Sequence, residues 1–169
     1  MMKTIGFTLA AALCVCALSL GRLHAAGSDQ AIAKTIQAAY DIQDKAFDQK
    51  DVAGFVSIYT GDYTEILKGG QKSNLEQVKN SLRQMLAIAT VTKQVCKVAS
   101  IKNVSDGVLA TVDERCEVVL TPPGGKKPQD MVGLGVFEDL WVKTDNGWMD
   151  KRSTLVTDNM TLDGKPVPG

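Results

Sequence analysis

Apolar side chains recur at helical spacing over residues 30–50, and this spacing predicts the first helix. The apolar stripe consists of Ile32, Ile36, Ala39, Tyr40 and Phe47. Gln43 falls in the middle of the stripe, where it is the first polar residue out of place. Gln43 and Tyr40 are therefore candidates for the wall of an internal pocket.

A short second helix and a first strand are predicted next. In DVAGFVSIY, Val52, Phe55, Val56 and Tyr59 share one side, and Asp51 is the expected N-cap. The following DYTEIL (residues 62–67) alternates between apolar and polar positions, which predicts a strand closed by a glycine pair at 69–70.

A third helix follows, and everything after it has strand character. Ser73 and Glu76 have the spacing of a capping box, and the predicted buried face of the helix consists of Leu75, Val78, Leu82, Met85, Leu86 and Ala89. Strands are predicted over residues 91–104, 108–121, 131–143 and 148–157, with turns around residues 105–107 and 145–147. The last twelve residues look irregular. Helices packed on one face of an antiparallel sheet make this an α+β domain.

The N-terminus has the order of a secretory signal peptide. Lys3 is followed by an uncharged apolar run over residues 5–20 and then by the small residues Ala25 and Ala26. The run is shorter than the roughly 20 residues that a membrane-spanning helix needs. We therefore predict a signal peptide over residues 1–25, cleavage near Ala25 or Ala26, one domain over 26–169, a periplasmic or secreted location, and no membrane span.

Composition and charge exclude several kinds of function. The 19 basic and 19 acidic residues balance, and loss of Lys3 and Arg22 leaves the mature chain slightly acidic. No basic cluster is present, so nucleic acid is not an expected partner. The single histidine, His24, lies at the predicted cleavage site, which argues against histidine-based catalysis or metal binding. No metal and no cofactor are expected.

Two cysteines, Cys96 and Cys116, remain outside the predicted signal peptide. A hairpin that turns symmetrically about residue 106 would place them opposite each other. Exported proteins form disulfides, so a cross-strand disulfide is predicted. Two buried thiols in neighbouring strands are the alternative.

Glu114 is the one charge on the buried face of its strand. The even positions from Val108 to Leu120 are otherwise apolar or cysteine, whereas the odd positions are mixed. A buried carboxyl is costly unless it is hydrogen-bonded, protonated or functional. A structural role and ligand binding are both open for Glu114.

Trp141 shares a strand face with Phe137 and Asp139. A two-residue turn would place it opposite Arg152, which allows cation–π stacking. Packing in the core or in a dimer interface is the favoured interpretation of this tryptophan, and the pocket wall is a further candidate position.

The order of elements resembles the nuclear transport factor 2-like (cystatin-like) superfamily, and its SnoaL-like and ketosteroid-isomerase-like group above all. The matching segments are QKDVAGFVSIYTGDYTEILKGG, SNLEQVKNSLRQML and DLWVKTDNGWMDKR. The resemblance implies three helices on a strongly curved sheet that encloses a cone-shaped pocket. It also implies a homodimer through the sheet, while it says little about activity.

The resemblance lets the catalytic pattern be tested at single positions. Ketosteroid isomerases place a tyrosine and an aspartate where this chain has Gln43 and Leu67. Leucine cannot take a proton, so that chemistry is not expected here. If Leu67 faces the pocket, Tyr63 and Glu65 face it too, because side chains alternate along a strand. Glu65 would then be enclosed, where its pKa would rise; a solvated or ion-paired Glu65 is the alternative.

Three functions remain open. The first is an exported domain that binds a small hydrophobic or amphipathic molecule and lacks recognisable catalytic residues. The second is a cofactor-free lyase or isomerase with Glu65 or Glu114 as base and Tyr63 or Tyr40 as partner. The third is an interaction module that acts through its sheet face. The expected pocket residues are Tyr40, Gln43, Tyr59, Tyr63, Glu65, Leu67, Glu114 and Trp141.

Overall fold

The computed structural model describes residues 12–121, 123–124 and 127–167, with side chains from Ser28 onward. The helices are α1 (Ala12–Asp48), α2 (Val52–Phe55) and α3 (Leu75–Ile88). The strands are β1 (Tyr59–Ile66), β2 (Lys72–Asn74), β3 (Ala89–Val104), β4 (Gly107–Leu120), β5 (Gln129–Thr144), β6 (Gly147–Leu162) and β7 (Lys165–Pro166). Three helices and a long sheet confirm the α+β prediction.

The predicted signal peptide lies partly outside the described residues. Residues 1–11 are not described, and residues 12–25 form the first part of α1. The first helix therefore starts earlier than the predicted residue 30. Within the described chain, no helix is long and apolar enough to cross a membrane.

The helix caps are local features that the sequence predicts to within one residue. The Asp51 carboxylate accepts a hydrogen bond from the Ala53 N–H at 3.1 Å, which confirms it as the N-cap of α2. The capping box of α3 is formed by Asn74 and Gln77, one residue later than the predicted Ser73 and Glu76. Ser73 pairs with Glu65 in the β1–β2 ladder, so it stays in the extended chain.

The sheet is mixed, with the strand order β2-β1-β6-β5-β4-β3 and β7 on the far end of β6. The expected antiparallel sheet is correct for every neighbouring pair except β1 and β6, which run parallel. The predicted irregular tail is also wrong in part. β6 continues to Leu162, and a turn at residues 163–164 returns the chain as β7.

The register of the β3–β4 hairpin differs from the symmetric one. A two-residue turn pairs Val104 with Gly107, and an irregularity between Val98 and Ser100 shifts the ladder further. Cys96 therefore lies opposite Glu114, and the expected pairing with Cys116 is wrong. Diagonal neighbours are roughly 7–8 Å apart, and Cα separations above about 7 Å do not suit a disulfide. Both cysteines are free thiols in the structure.

A second irregularity changes the partner of Trp141 in the sheet. The β5–β6 register shifts between Leu140 and Trp141, so Trp141 lies opposite Asp150 and the expected pairing with Arg152 is wrong. The Trp141 side chain is completely buried. The cation–π contact of this hairpin is made instead by Lys143, whose Nζ lies 5.6 Å from the ring centre of Trp148.

The buried apolar residues form two clusters. The first lies between α1 and the turn end of β3, β4 and β5; it includes Ile36, Tyr40, Val108, Val112 and Trp141. The second joins the end of α1 to α3 and the other end of the sheet; it includes Phe47, Leu82, Leu86, Ala89 and Val118. Residues of both clusters line a cavity between the helices and the sheet.

Polar side chains of α1 cover the outer edge of β3, which is the last strand of the sheet. Gln37, Asp44 and Asp48 accept hydrogen bonds from alternate backbone N–H groups of β3. These donors are Val98 at 2.9 Å, Cys96 at 2.9 Å and Gln94 at 3.1 Å. The same helix that contributes apolar side chains to the core therefore also satisfies the edge strand.

Candidate functional site

A cavity of about 310 Å³ lies between the helices and the concave side of the sheet. Its apolar wall is built by Phe47, Phe55, Val78, Leu82, Met85, Val112 and Phe137. Its polar wall is built by Tyr40, Gln43, Tyr59, Tyr63, Glu65, Ser81, Gln94, Cys96, Glu114, Cys116, Asp139, Asp150 and Ser153. The polar groups come mostly from strands, whereas α3 adds apolar side chains and Ser81.

Most of the predicted pocket residues meet in this cavity. They are Tyr40, Gln43, Tyr59, Tyr63, Glu65 and Glu114. Leu67 and Trp141 do not line it. β1 ends at Ile66 and Leu67 leads into a short 3-10 turn, so strand alternation no longer sets its direction. The Trp141 ring instead packs edge to face against the Tyr40 ring.

Two acidic residues of the cavity were missed by the sequence analysis. Asp139 is 4% exposed and Asp150 is 1% exposed. The reasoning that singled out Glu114 applies equally to Asp139, which shares a face with Phe137 and Trp141. Asp150 gave no such signal, because the register shift at Trp141 decides what it faces.

Gln43 and two tyrosines form one polar group of the cavity. The Gln43 amide donates to the Tyr59 hydroxyl at 2.7 Å and to the Phe55 carbonyl at 3.3 Å. The rings of Tyr59 and Tyr63 are stacked, with centroids 3.9 Å apart and planes at 11°. The polar residue in the apolar stripe of α1 thus has partners inside the protein, and it fixes an aromatic wall.

Tyr40, Asp139 and Trp141 form a second polar group. The Tyr40 hydroxyl donates to Oδ2 of Asp139 and accepts from Nε1 of Trp141 at 3.3 Å. The two rings meet edge to face at 5.3 Å. The other carboxyl oxygen of Asp139, Oδ1, is buried and has no hydrogen-bond partner. Asp139, whose side chain lines the cavity, therefore has one satisfied and one unsatisfied carboxyl oxygen.

Burial raises the pKa of the cavity carboxyl groups. It raises the pKa of Glu114 to about 7, and the charges of Asp139, Asp44 and Glu65 add to the rise. It raises the pKa of Asp139 to about 6, although the nearby Ser153 hydroxyl and the hydrogen bond from Tyr40 favour the charged form. Glu114 is therefore divided between its two protonation states near neutral pH.

The other two carboxyl groups respond in the same direction. Burial, followed by the charge of Asp139, raises the pKa of Asp150. Burial raises the pKa of Glu65 as well. No lysine, arginine or histidine is among the described residues of the cavity wall, although the charge of Arg152 partly offsets the rise in the pKa of Asp150. Carboxyl groups in this setting are suited to giving or taking a proton.

Comparison with known proteins places the chain in a family and a fold. The family model described as a SnoaL-like domain matches residues 31–154. Among curated proteins, no sequence matches the chain.

Two solved structures illustrate the likeness of fold. A putative scytalone dehydratase from Novosphingobium aromaticivorans has a TM-score of 0.64 at 17% identity, over 80% of this chain and 90% of that one. A hexachlorocyclohexane dehydrochlorinase, LinA-type3, from Novosphingobium barchaimii has a TM-score of 0.61 at 16% identity, over 85% of this chain and 95% of that one. These likenesses show the nuclear transport factor 2-like fold.

Proposed function

The chain belongs to the SnoaL-like family, and we propose that it binds a small amphipathic organic molecule in the cavity between its helices and its sheet. The observation that carries this proposal is the cavity itself, which has about 310 Å³ of space, one apolar wall and several convergent polar groups. This combination is typical of small-molecule sites.

The two walls would orient such a ligand. Phe47, Leu82 and Met85 offer apolar surface on the helical side, where the hydrocarbon part of the ligand would be buried. The carboxyl and hydroxyl groups on the sheet side would bind its polar end. A ligand with one apolar and one polar end therefore matches the cavity better than a uniformly polar one.

The proposal is tested by blocking the cavity. We expect several members of a fragment library of neutral, cationic and anionic aromatic compounds to shift the NMR signals of cavity residues. Ser81→Trp places a large ring on the cavity wall and is expected to weaken these fragments at least tenfold. Gln84→Trp, on the exposed side of the same helix, is the matched control and should leave their binding unchanged. Fragments that bind equally to wild type and Ser81→Trp would contradict the proposal.

A second function is supported by Glu114, whose pKa of about 7 lies in the range of an effective general base. The two solved neighbours are named as a dehydratase and a dehydrochlorinase, and both names denote eliminations. In such a step the Glu114 carboxylate would take a proton from carbon. The C–H electron pair would form the new π bond, and the leaving group would depart with its own pair. Glu65 is the alternative base. Tyr63 or Tyr40 would donate a proton to the leaving group.

We also propose export, cleavage near Ala25 or Ala26, and a homodimer through the sheet. The positive start and apolar run of the N-terminus support export. Leu134 and Val156, which are exposed apolar side chains on β5 and β6, support a contact between copies. The intact mass of the exported protein tests the cleavage, and its sedimentation velocity tests the homodimer. An uncut chain or a monomer would contradict them.

A further inference from the structure

The charged groups of the cavity wall all have one sign. Glu65, Glu114, Asp139 and Asp150 supply four carboxyl groups, and the described part of the wall contains no basic side chain. Building on the proposed function, we infer that the ligand is an organic cation, a protonated amine with an aromatic or aliphatic body. The amine would lie against the carboxyl groups, and the body against the helical wall.

Asp139 supplies the position for the ammonium group. Its side chain is 4% exposed and lines the cavity. Oδ2 accepts a hydrogen bond from Tyr40, while the buried Oδ1 has no partner. A buried acceptor without a donor is costly, and an ammonium N–H is a donor with the charge that a carboxylate prefers. The cavity wall therefore carries a carboxyl group that the protein itself pairs at only one of its two oxygens.

The spacing of the carboxyl groups favours an organic cation over a metal ion. The four groups come from four different strands, β1, β4, β5 and β6. Within the described residues, no three His, Cys, Asp or Glu side chains are close enough together to hold a metal. A metal ion needs several ligands around one point, whereas an ammonium group needs only one or two carboxylates.

The aromatic side chains of the same cavity suit a cationic ligand. Tyr59 and Tyr63 form a stacked pair that Gln43 holds in place, and Phe55 meets Tyr59 edge to face at 6.2 Å. Aromatic rings attract cations through their negative faces and also pack against hydrocarbon. Proton uptake by the carboxyl groups is the competing way to neutralise the cavity, and it would favour a neutral ligand.

Three probes with the same phenyl group and different charge separate these alternatives. They are 2-phenylethylamine, 2-phenylethanol and phenylacetate, titrated calorimetrically into the full mature protein at pH 7.5. We expect the amine to bind at least tenfold more tightly than the alcohol, and phenylacetate to bind more weakly than either. Asp139→Asn keeps an oxygen for the Tyr40 hydrogen bond and removes the charge, so it should reduce the preference for the amine at least fivefold.

The controls separate charge in the cavity from charge elsewhere. Asp113→Asn removes a charge from the outward face of β4 and should leave all three affinities unchanged. Glu114→Gln, on the inward face, provides a second test if Asp139→Asn does not fold, and it should also reduce the preference.

Equal or tighter binding of the alcohol would overturn the inference, as would an amine preference that both cavity variants leave intact. Absence of binding by all three probes would overturn it too. None of these results affects the proposed function if Ser81→Trp still weakens the binding of the library fragments. The proposed function would instead be overturned if the library fragments bound equally well to the wild-type protein and to Ser81→Trp.

Discussion

At pH 8 the variant Glu114→Gln is expected to be more stable than the wild-type protein, by about 3 kcal/mol in the free energy of unfolding. Burial raises the pKa of Glu114 from 4.5 to about 7, and each pKa unit corresponds to about 1.4 kcal/mol. The wild-type protein must therefore hold a poorly solvated carboxylate at pH 8. The glutamine keeps the shape and carries no charge.

The direction of the pH dependence follows from the same shift. Between pH 4.5 and about 7, Glu114 binds more protons in the folded than in the unfolded state, so stability falls as pH rises through this range. Asp139 adds to the fall between pH 3.8 and about 6. We expect the wild-type protein to be more stable at pH 5 than at pH 8, and the difference to be smaller in Glu114→Gln.

Urea unfolding at pH 5 and pH 8 measures both effects. Asp113→Asn is the matched control, because it removes a charge from the neighbouring residue on the exposed face of β4. This control should follow the wild-type protein at both pH values. If Glu114→Gln also followed the wild-type protein, the half-buried carboxyl group would not be costly in the way that its surroundings indicate.

The second large effect is expected in proton abstraction, if the cavity performs eliminations. We expect the protein to accelerate the ring opening of 5-nitrobenzisoxazole, in which a base removes the ring C–H proton. The electron pair forms a nitrile, the N–O bond breaks, and a phenolate leaves. The rate should rise as pH increases through about 7, because Glu114 is a base only when ionised. Glu114→Gln should reduce the rate by roughly 100-fold or more.

Absorbance of the phenolate product gives this rate as a function of pH. Asp113→Asn should retain the wild-type profile. Glu65→Gln distinguishes the two candidate bases, since loss of the pH step in that variant alone would move the role to Glu65. The cavity would be left with binding as its function if the protein did not raise the ring-opening rate above that in buffer. The same would follow if neither Glu114→Gln nor Glu65→Gln changed the rate.

The two predictions together state that Glu114 lowers the stability of the folded protein at pH 8 and acts as a base in proton abstraction. A side chain that lowers stability at neutral pH and can be replaced with a gain is typical of a functional position. A purely structural carboxyl group would show the opposite result, with stability lost on replacement. One variant measured in two assays therefore separates a functional Glu114 from a structural one.

Strand alternation predicts which side chains share a face of the sheet wherever the strands are regular. It identified Glu114 and placed Tyr63 and Glu65 on one side, and the structure puts all three in the cavity wall. Hydrophobic periodicity likewise singled out Gln43 on α1. For Glu114 and Gln43 a local pattern was enough. The inward direction of Tyr63 and Glu65 was inferred from the resemblance through Leu67, which does not itself line the cavity.

Pairings and side-chain directions could not be predicted from the sequence where one residue changes the register. The two-residue turn and the shift between Val98 and Ser100 together separate Cys96 from Cys116. The shift at Trp141 brings Asp150 into the cavity. Bulges arise from pairing between strands that are distant in sequence, so a single strand read alone gives no sign of them. The parallel pairing of β1 with β6 is a long-range feature of the same kind.

The cover that α1 places over β3 also bears on how copies of this protein can associate. The last strand of a sheet normally presents N–H groups on which another strand can assemble, and long exposed edges promote aggregation. Here Gln37, Asp44 and Asp48 already accept hydrogen bonds from the N–H groups of residues 98, 96 and 94, respectively. The opposite end of the sheet is β2, which is only three residues long. Strand addition is therefore obstructed by side chains along residues 94–98 of β3 and limited at β2 by the shortness of that strand.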